Sequence, residues 1–474
     1  MSTTYTLVVK EDCPTCTMLG PVYEQLLANE LALSIYTQDN PAFPLPTAID
    51  DRELEKSFRL DIETVPTLIK YEDGVENGRL IGWHRENWEA LTSVIGLGES
   101  LPAMKPGCGA LNVMPGIAER LQIRYGDSGM SAREIEVAPL SDPVEVAFER
   151  GWTDGLPVVT PTPERVWRML QGTSRRPDEV VGIIPPDLTA CTVEKVAINA
   201  VMAGCKPEYM PVVLAAVEAA CIDEFNMHGL LATTYFSSPI VVVNGPIAQK
   251  IGMNSGGNAL GQGNRANATI GRALQLVIRN VAGGKPGGVD RATLGYPGKY
   301  TFCFAEREQD SPWESLAVQK GFAAEDSTVT LIAGGGVHGV MDQLSRTPEG
   351  LTHSFAKSLL SVAHYKIAFA TDALLVVSPE HARTFKNAGW SKEQLAAKIQ
   401  ELTTRHGSEM VRGADDNAEG LPPHFAGATL SKFRPGGLHI VHAGGTAGMF
   451  SAIIGGWVNS GARGSSPVTV KINS

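Results

Sequence analysis

The chain is expected to be an α/β protein, with a small N-terminal α/β domain followed by a large α/β body on a mixed or parallel sheet. Three observations lead there. Short apolar runs end repeatedly in glycine or proline turns and are followed by segments with apolar residues at helical spacing. The 474 residues suffice for about three domains, or for one small domain and one large body, at roughly 150 residues each. Charge is unevenly placed: residues 1–100 hold 7 Lys+Arg against 17 Asp+Glu, whereas the remainder holds 33 against 34. An acidic head on a nearly neutral body points to two separately folded parts.

Composition excludes several classes. Hydrophobic residues make up 43% and charged residues 19%, which suits a packed core rather than a disordered chain. The 50 glycines follow no Gly-X-Y period, so they read as tight turns. A net charge of −11 argues against nucleic acid as a partner. No apolar run reaches the ~18–20 residues of a membrane span, and the first residues lack a basic region followed by an apolar one. A cytoplasmic protein with no membrane partner is therefore expected. Of seven cysteines, only Cys13 and Cys16 are close in sequence, which disfavours both a disulfide scaffold and a structural zinc site. No metal, flavin or nicotinamide site is indicated, so no cofactor is expected.

The elements of the head can be read in order. Tyr5-Thr6-Leu7-Val8-Val9 is a short β-forming run. Cys13-Pro14-Thr15-Cys16 then opens a helix, marked by Met18, Leu19, Tyr23, Leu26 and Leu27 at helical spacing. Leu33–Tyr36 is the next strand, and Ile49–Leu60 is helix-compatible. Thr67–Tyr71 and Gly78–Trp83 flank Glu72-Asp73-Gly74 as a hairpin, and Asn87–Ile95 is a last helix ended by Gly96. The order is strand, helix, strand, helix, strand, strand, helix.

That order, with CPTC at the first helix and Val65-Pro66-Thr67 before the third strand, resembles the thioredoxin fold over residues 3–97. The resemblance implies that Pro66 is a cis-proline packed against the dithiol and shaping a substrate groove. Pro21 falls where that family has its helix-kinking proline. It further implies that Cys13 attacks a disulfide or an electrophilic sulfur and that Cys16 resolves the mixed disulfide. A thiolate at a helix start, near free backbone N–H groups, has its pKa drawn below the usual ~8.5. Two departures stand out. Leu7 occupies the position of the family's buried Asp, leaving Cys16 without a helper for its deprotonation, and Asp12 replaces the usual aromatic and opposes a Cys13 thiolate by charge. Slower or more specialised exchange follows from both. The alternative is a fold kept for docking, with idle thiols.

Residues 99–150 are rich in glycine and proline and are expected to be a linker between residues 1–98 and 151–474, with one helix over Met114–Tyr125. Cys108, in Lys105-Pro106-Gly107-Cys108-Gly109-Ala110, is either a shuttle between the dithiol and the body or an incidental cysteine.

In the body, Pro239–Val243 ends in Asn244-Gly245-Pro246, Val329–Ala333 in Gly334-Gly335-Gly336, Leu374–Val377 in Ser378-Pro379, and Leu438–Ala443 in Gly444-Gly445. The alternation of polar–proline turns with Ala-Gly-Gly turns admits an internal duplication near 235–340 and 370–450, with halves of about 151–345 and 346–474. Ligands of open α/β sheets sit beyond strand C-termini. That rule places Asn244, Gly335, His338, His442 and Gly444 around a candidate pocket. The loop Asn254–Arg265, with Gly256 and Gly257, leads into a helix over Asn267–Val281. It is read either as an anion site assisted by Arg265 and Arg272 or as structure alone. Cys191, ahead of the helix Val193–Ala203 capped by Thr192, and Cys303, in the strand Lys299–Ala305, are the candidate catalytic thiols. Cys205 and Cys221 are expected to pack as apolar residues. His338 and His442 are each either an acid–base residue or a hydrogen-bonded structural histidine. His439 and His442 lie on opposite strand faces, against chelation. Asp154 is a turn cap or a site acid, the cap being favoured.

The segments GWTDGLPVV at 151–159, TVEKVAINAVMAGC at 192–205, GGNALG and ATLGYPGKYTFCF resemble an uncharacterised bacterial family associated with small UGSC-motif redox selenoproteins. The resemblance implies thiol or selenol chemistry, though this chain has no UGSC. The leading expectation is a thiol-dependent oxidoreductase. Its N-terminal dithiol takes electrons from a reductant protein or a low-molecular-weight thiol and relays them to a body cysteine acting on a small substrate, an anionic one if the glycine-rich loop is an anion site. The alternative is a redox-independent lyase or hydrolase using His338 and His442, with the head as a docking or regulatory module. A homo-oligomer is left open.

Overall fold

The computed structural model describes residues 2–458 and 464–473. It falls into two compact units, the first ending at Ser128 and the second beginning at Gly129. The division therefore comes neither at residue 98 nor at 150. Residues 99–128 pack on the first unit, and the expected linker is part of a domain.

In the first unit, β1 (Thr3–Val9) leads to α1 (Pro14–Met18) and α2 (Gly20–Ala28), a helix interrupted at Leu19 just ahead of Pro21. There follow β2 (Leu33–Thr37), β3 (Ile49–Asp50), α3 (Glu55–Arg59), β4 (Thr64–Val65), β5 (Thr67–Glu72), β6 (Val75–Ile81), β7 (Trp83–His84) and α4 (Arg85–Thr92). The sheet order is β3-β2-β1-β5-β6, with β1 parallel to β2 and antiparallel to β5. The expected helix from Ile49 is thus shorter, because Ile49 and Asp50 pair with Tyr36 and Thr37. One core joins Leu7, Val8, Val9, Tyr23, Leu68, Ile69, Trp83 and Trp88, all 6% exposed or less.

Beyond α4 the chain turns back onto this unit as β8 (Met104–Lys105) and β9 (Cys108–Gly109), then α5 (Ile117–Tyr125). β8 pairs with β7 and β9 with β4. Asn112, 6% exposed, fixes the return: its Nδ2 donates to Ile62 O (2.7 Å), and Gln38 Nε2 donates to its Oδ1 (2.9 Å). Tyr125 of α5 packs against Phe58 of α3.

The second unit begins with α6 (Pro143–Glu149), α7 (Pro163–Leu170), the hairpin β10 (Val180–Ile184) and β11 (Thr189–Thr192), α8 (Val193–Ala203), α9 (Met210–Cys221) and α10 (Met227–Ala232). Then come β12 (Ser238–Asn244), α11 (Pro246–Lys250), α12 (Arg265–Asn280), β13 (Cys303–Ala305), α13 (Leu316–Gln319), β14 (Thr328–Met341) and α14 (Pro348–Leu359). β15 (Thr371–Val377), α15 (Pro379–Asn387), α16 (Lys392–Thr403), β16 (Arg405–His406), β17 (Thr429–Leu430), β18 (Phe433–His442), β19 (Phe450–Val458) and β20 (Val468–Lys471) complete it.

Among the described residues, one mixed sheet has the order β13-β12-β14-β19-β15-β18, with β20 beside β14. Both expected halves build this sheet, so they are not separate bodies. The order nevertheless repeats. A first strand (β12 or β15) has a parallel second strand (β13 or β18) on one side and an antiparallel third (β14 or β19) on the other, and the two third strands pair with each other. The polar–proline turns, after Asn244 and at Ser378, occupy matching places. The Ala-Gly-Gly segments do not: Gly334-Gly335-Gly336 lies inside β14, at a shift of register against β19, rather than in a turn.

β12 and β15 are buried along their whole lengths, as strands covered on both faces should be. One side of the sheet packs under α7–α10 and α12 through Val241, Val243, Val329 and Leu331, and another under α14–α16 through Leu375, Val377 and Ile440. The opposite faces come together. Ile240, Val242, Phe304, Ile332, Leu374, Val376, Val441 and Ile454 form one cluster drawn from six strands. The sheet therefore curls around its own interior and brings the segment just after β13 to the end of β18, where Arg307 N–H donates to His442 O (2.7 Å). Each such fully buried side chain contributes about 1.5–3 kcal/mol of transfer free energy.

Candidate functional site

Three thiols converge in the first unit. Cys13 is the N-cap of α1, and its Sγ accepts from Cys16 N–H (3.3 Å). Cys13 Sγ also lies 3.5 Å from Val65 O, next to the cis peptide bond of Val65–Pro66. The third thiol arrives on the returning segment. β9 sets Cys108 opposite Val65, the residue whose carbonyl lies beside Cys13 Sγ. Thr15 Oγ1 donates to Pro106 O (2.6 Å) and Lys105 Nζ to Pro14 O (3.3 Å), holding the segment over the dithiol.

Burial alone would raise the Cys13 pKa. Hydrogen bonds from the Cys108 thiol, the Cys16 thiol and N–H, and the Thr15 N–H outweigh it and hold Cys13 below the ordinary thiol value. The groups that set this ionisation are thiols and amides rather than Asp12, whose N–H is engaged by Asp39 Oδ2 (2.8 Å). Cys16 goes the other way: burial, with the charges of Cys13 and Cys108, pushes it far up. Leu7 is fully buried and brings no carboxylate to assist. Cys108 is also raised, first by burial and then by Cys13. One thiol is poised as a nucleophile beside two that stay protonated. The Cys13 peptide of native reduced protein is therefore expected to alkylate with a half-maximal rate at a pH below the usual ~8.5. Pulse labelling with iodoacetamide across pH, read by peptide mass, checks this.

A second polar site lies in the other unit, where the segment just after β13 meets the end of β18. Glu306 follows β13 directly and is fully enclosed. Its carboxylate accepts from Asn244 Nδ2 (2.7 Å), Leu316 N–H (2.7 Å) and His442 N–H (3.4 Å), and Lys392 Nζ is 3.8 Å away. Burial pushes Glu306 up and Lys392 down, and each partly offsets the shift of the other. Glu308 accepts from Asn244 Nδ2 (2.7 Å) and Gly245 N–H (2.9 Å). Arg307 binds Asp310 through two 2.7 Å bonds and donates to Gly444 O (3.2 Å).

His442 stands among them, 2% exposed, with Nε2 3.9 Å from Asp310 and no hydrogen-bond partner for either ring nitrogen. Burial lowers it to about 4; Asp310 opposes this, while Arg307 and Lys392 add to it, so the ring is neutral near pH 7. The glycine loop reaches the same place, since Gly444 N–H donates to Ser255 O (2.9 Å) and Gly445 approaches Gly257.

Asn244, Gly256, Gly257, His442 and Gly444 are therefore brought together as expected, but Gly335 and His338 are not. Those two line a separate cavity of about 180 Å³ with Tyr235, Ser361 and Ile453, and His338 is on the exposed part of β14. The arginines expected to attract an anion are engaged: Arg265 Nε donates to Gly204 O (2.9 Å), and Arg272 forms paired 2.8 Å bonds to Asp154. Asp154 also caps its turn by accepting from Leu156 N–H (3.1 Å). Burial would raise its carboxyl, but Arg272 more than offsets this and holds it below the usual range. Asparagines shape the loop: buried Asn267 ties Asn254 and Ala259, and Asn264 caps α12.

Cys191 and Cys303 are both buried. Burial pushes Cys191 to about 12 and Cys303 further, the opposite of what an attacking thiolate needs. The β13 strand holding Cys303 begins only at Cys303, not at Lys299. Sequence reasoning missed the roles of Glu306, Arg307, Asp310 and Lys392. The charged run immediately after the apolar Phe302–Ala305 was the one available signal. Among the described residues, no group of three His, Cys, Asp or Glu side chains is placed to hold a metal ion, and no helix is long and apolar enough to cross a membrane. No protein-family model matches the chain, and no curated protein is similar to it in sequence.

Proposed function

We propose that the protein is a thiol–disulfide oxidoreductase, with Cys13 as the attacking thiol, Cys16 as the resolving thiol and Cys108 as a third thiol in exchange with Cys13. The carrying observation is the placement of Cys13: it caps α1, its Sγ accepts from Cys16 N–H beside the cis Val65–Pro66 bond, and β9 sets Cys108 opposite Val65. Electrons would come from a reductant protein or a small thiol and pass on to a small substrate. A reducing compartment such as the cytoplasm suits seven unpaired cysteines. Nothing in the ionisation of Cys191 or Cys303 favours either as the acceptor of a relay, so the proposal rests on the first unit.

Redox titration with peptide mapping tests it. A Cys13–Cys16 disulfide that forms and is reduced reversibly supports the proposal, whereas a pair that stays dithiol across the range of cellular thiol potentials rejects it.

A second reading is favoured by one observation, the unpartnered ring nitrogens of buried His442. In it the body performs acid–base chemistry on a small polar substrate without thiols. Turnover that survives Cys13→Ser/Cys16→Ser but falls in His442→Gln belongs to that reading; the reverse pattern belongs to the first.

A further inference from the structure

The segment carrying Cys108 is shaped to the dithiol more closely than a passing loop requires. Its strand β9 occupies the free backbone edge of Thr64–Val65, and Ala110 N–H donates to Glu63 O (3.0 Å), so the edge beside Cys13 is already paired. Gly107 lies flush against that edge. A Cβ there would fall 2.4 Å from Thr64 Cγ2 and 2.8 Å from Val65 O, so only glycine lets the segment seat. Cys13 is 1% exposed beneath it, whereas Cys108 is half-buried.

We propose that residues 104–110 form a seated strap that closes the groove to protein chains and makes Cys108 the thiol that meets substrate, so that the site serves small-molecule disulfides. The proposal rests on the thiol–disulfide reading above and adds its substrate class. Cys108 passes its proton to the neighbouring Cys13 thiolate as it attacks a disulfide RSSR; Cys108–S–S–R forms, and the released RS⁻ takes that proton back from Cys13. The Cys13 thiolate then attacks Cys108 Sγ and expels the second RS⁻, leaving Cys13–S–S–Cys108. Cys16, giving up its proton, attacks Cys13 Sγ, and Cys108 leaves as a thiolate that takes a proton. The sum is RSSR plus two cysteine thiols giving two RSH and a Cys13–Cys16 disulfide, a balanced two-electron exchange.

The test mixes the pre-reduced full chain with excess bis(2-hydroxyethyl) disulfide or with insulin, and follows Cys13–Cys16 formation by quenched alkylation and mass. Wild type is expected to oxidise at least tenfold faster with the small disulfide. Cys108→Ser should slow the small-disulfide reaction at least tenfold. Gly107→Ala, which cannot seat the strap, should lower the small-to-protein rate ratio at least tenfold. Thr15→Val, which only removes the bond to Pro106, should shift that ratio the same way and guards against a misfolded glycine variant. Equal rates for the two substrates in wild type, or a Cys108→Ser protein as fast as wild type, would overturn the strap while leaving the oxidoreductase intact. Failure of either disulfide to produce Cys13–Cys16 in any variant would overturn both.

Discussion

Cys13→Ser is expected to abolish the complete two-electron reduction of a disulfide, with a loss on the order of a thousandfold or more, the scale on which removing a covalent nucleophile acts. The reason is specific to this position. Of the three clustered thiols, Cys13 alone has its ionisation favoured, while Cys16 and Cys108 are both pushed up. A serine hydroxyl keeps the hydrogen bonds to the Cys16 N–H and the neighbouring thiols, so the fold should tolerate the change, yet it cannot form or break an S–S bond. The remaining thiols cannot substitute: Cys108 alone stops at a mixed disulfide with the substrate, and Cys16 is fully buried and lacks a carboxylate in the place of Leu7. The stopped reaction of reduced protein with bis(2-hydroxyethyl) disulfide measures the loss. A Cys13→Ser protein within tenfold of wild type would contradict the assignment of the nucleophile.

Lys392→Met is expected to have the largest effect on stability, about 3–5 kcal/mol at neutral pH, the usual cost of stranding a buried charge. Lys392 Nζ is enclosed by Glu314 O (2.8 Å), Gln319 Oε1 (3.1 Å) and Glu306, and the side chains of Lys392 and Glu306 are 5% and 1% exposed. Without the ammonium, burial raises the Glu306 carboxyl further in the folded state. A carboxyl whose folded pKa lies above its unfolded ~4.3 contributes stability that is present at low pH and lost as pH rises through the folded value. The deficit of Lys392→Met should therefore be smallest near pH 4–5 and grow toward pH 8. Adding Glu306→Gln should recover most of it. Urea unfolding followed by the fluorescence of Trp313 and Trp390, which pack in the adjacent cluster, reads both effects. A variant within about 0.5 kcal/mol of wild type at pH 8 would show that the pair does not hold the seam.

The first ninety-odd residues were legible because their information is local. The β-forming run Tyr5–Val9, the helical spacing after CPTC and the Glu72-Asp73-Gly74 turn each specify one element with little help from elsewhere. Residues 99–128 were not legible for the opposite reason. β8 and β9 are two residues long, too short for any period, and exist only because distant residues offer them an edge. Cys108 was therefore visible as a cysteine but not as a neighbour of Cys13.

In the body, the proline turns after β12 and β15 stand at matching places in the strand order. Gly334–Gly336 misled, because glycines read as a turn here sit within a strand at a register shift. The seam at Glu306 and His442 was out of reach: it forms where the ends of two strands 128 residues apart in sequence come together in a curled sheet, and no periodicity encodes that closure.

The most direct test of the central claim is non-reducing peptide mapping of full-length Cys16→Ser protein after one equivalent of bis(2-hydroxyethyl) disulfide. With the resolving thiol removed, the exchange should stop at an intrachain Cys13–Cys108 disulfide, recovered as one linked peptide pair with both free thiols lost. Cys13 left reduced, or joined only to the added thiol while Cys108 stays free, would contradict the account.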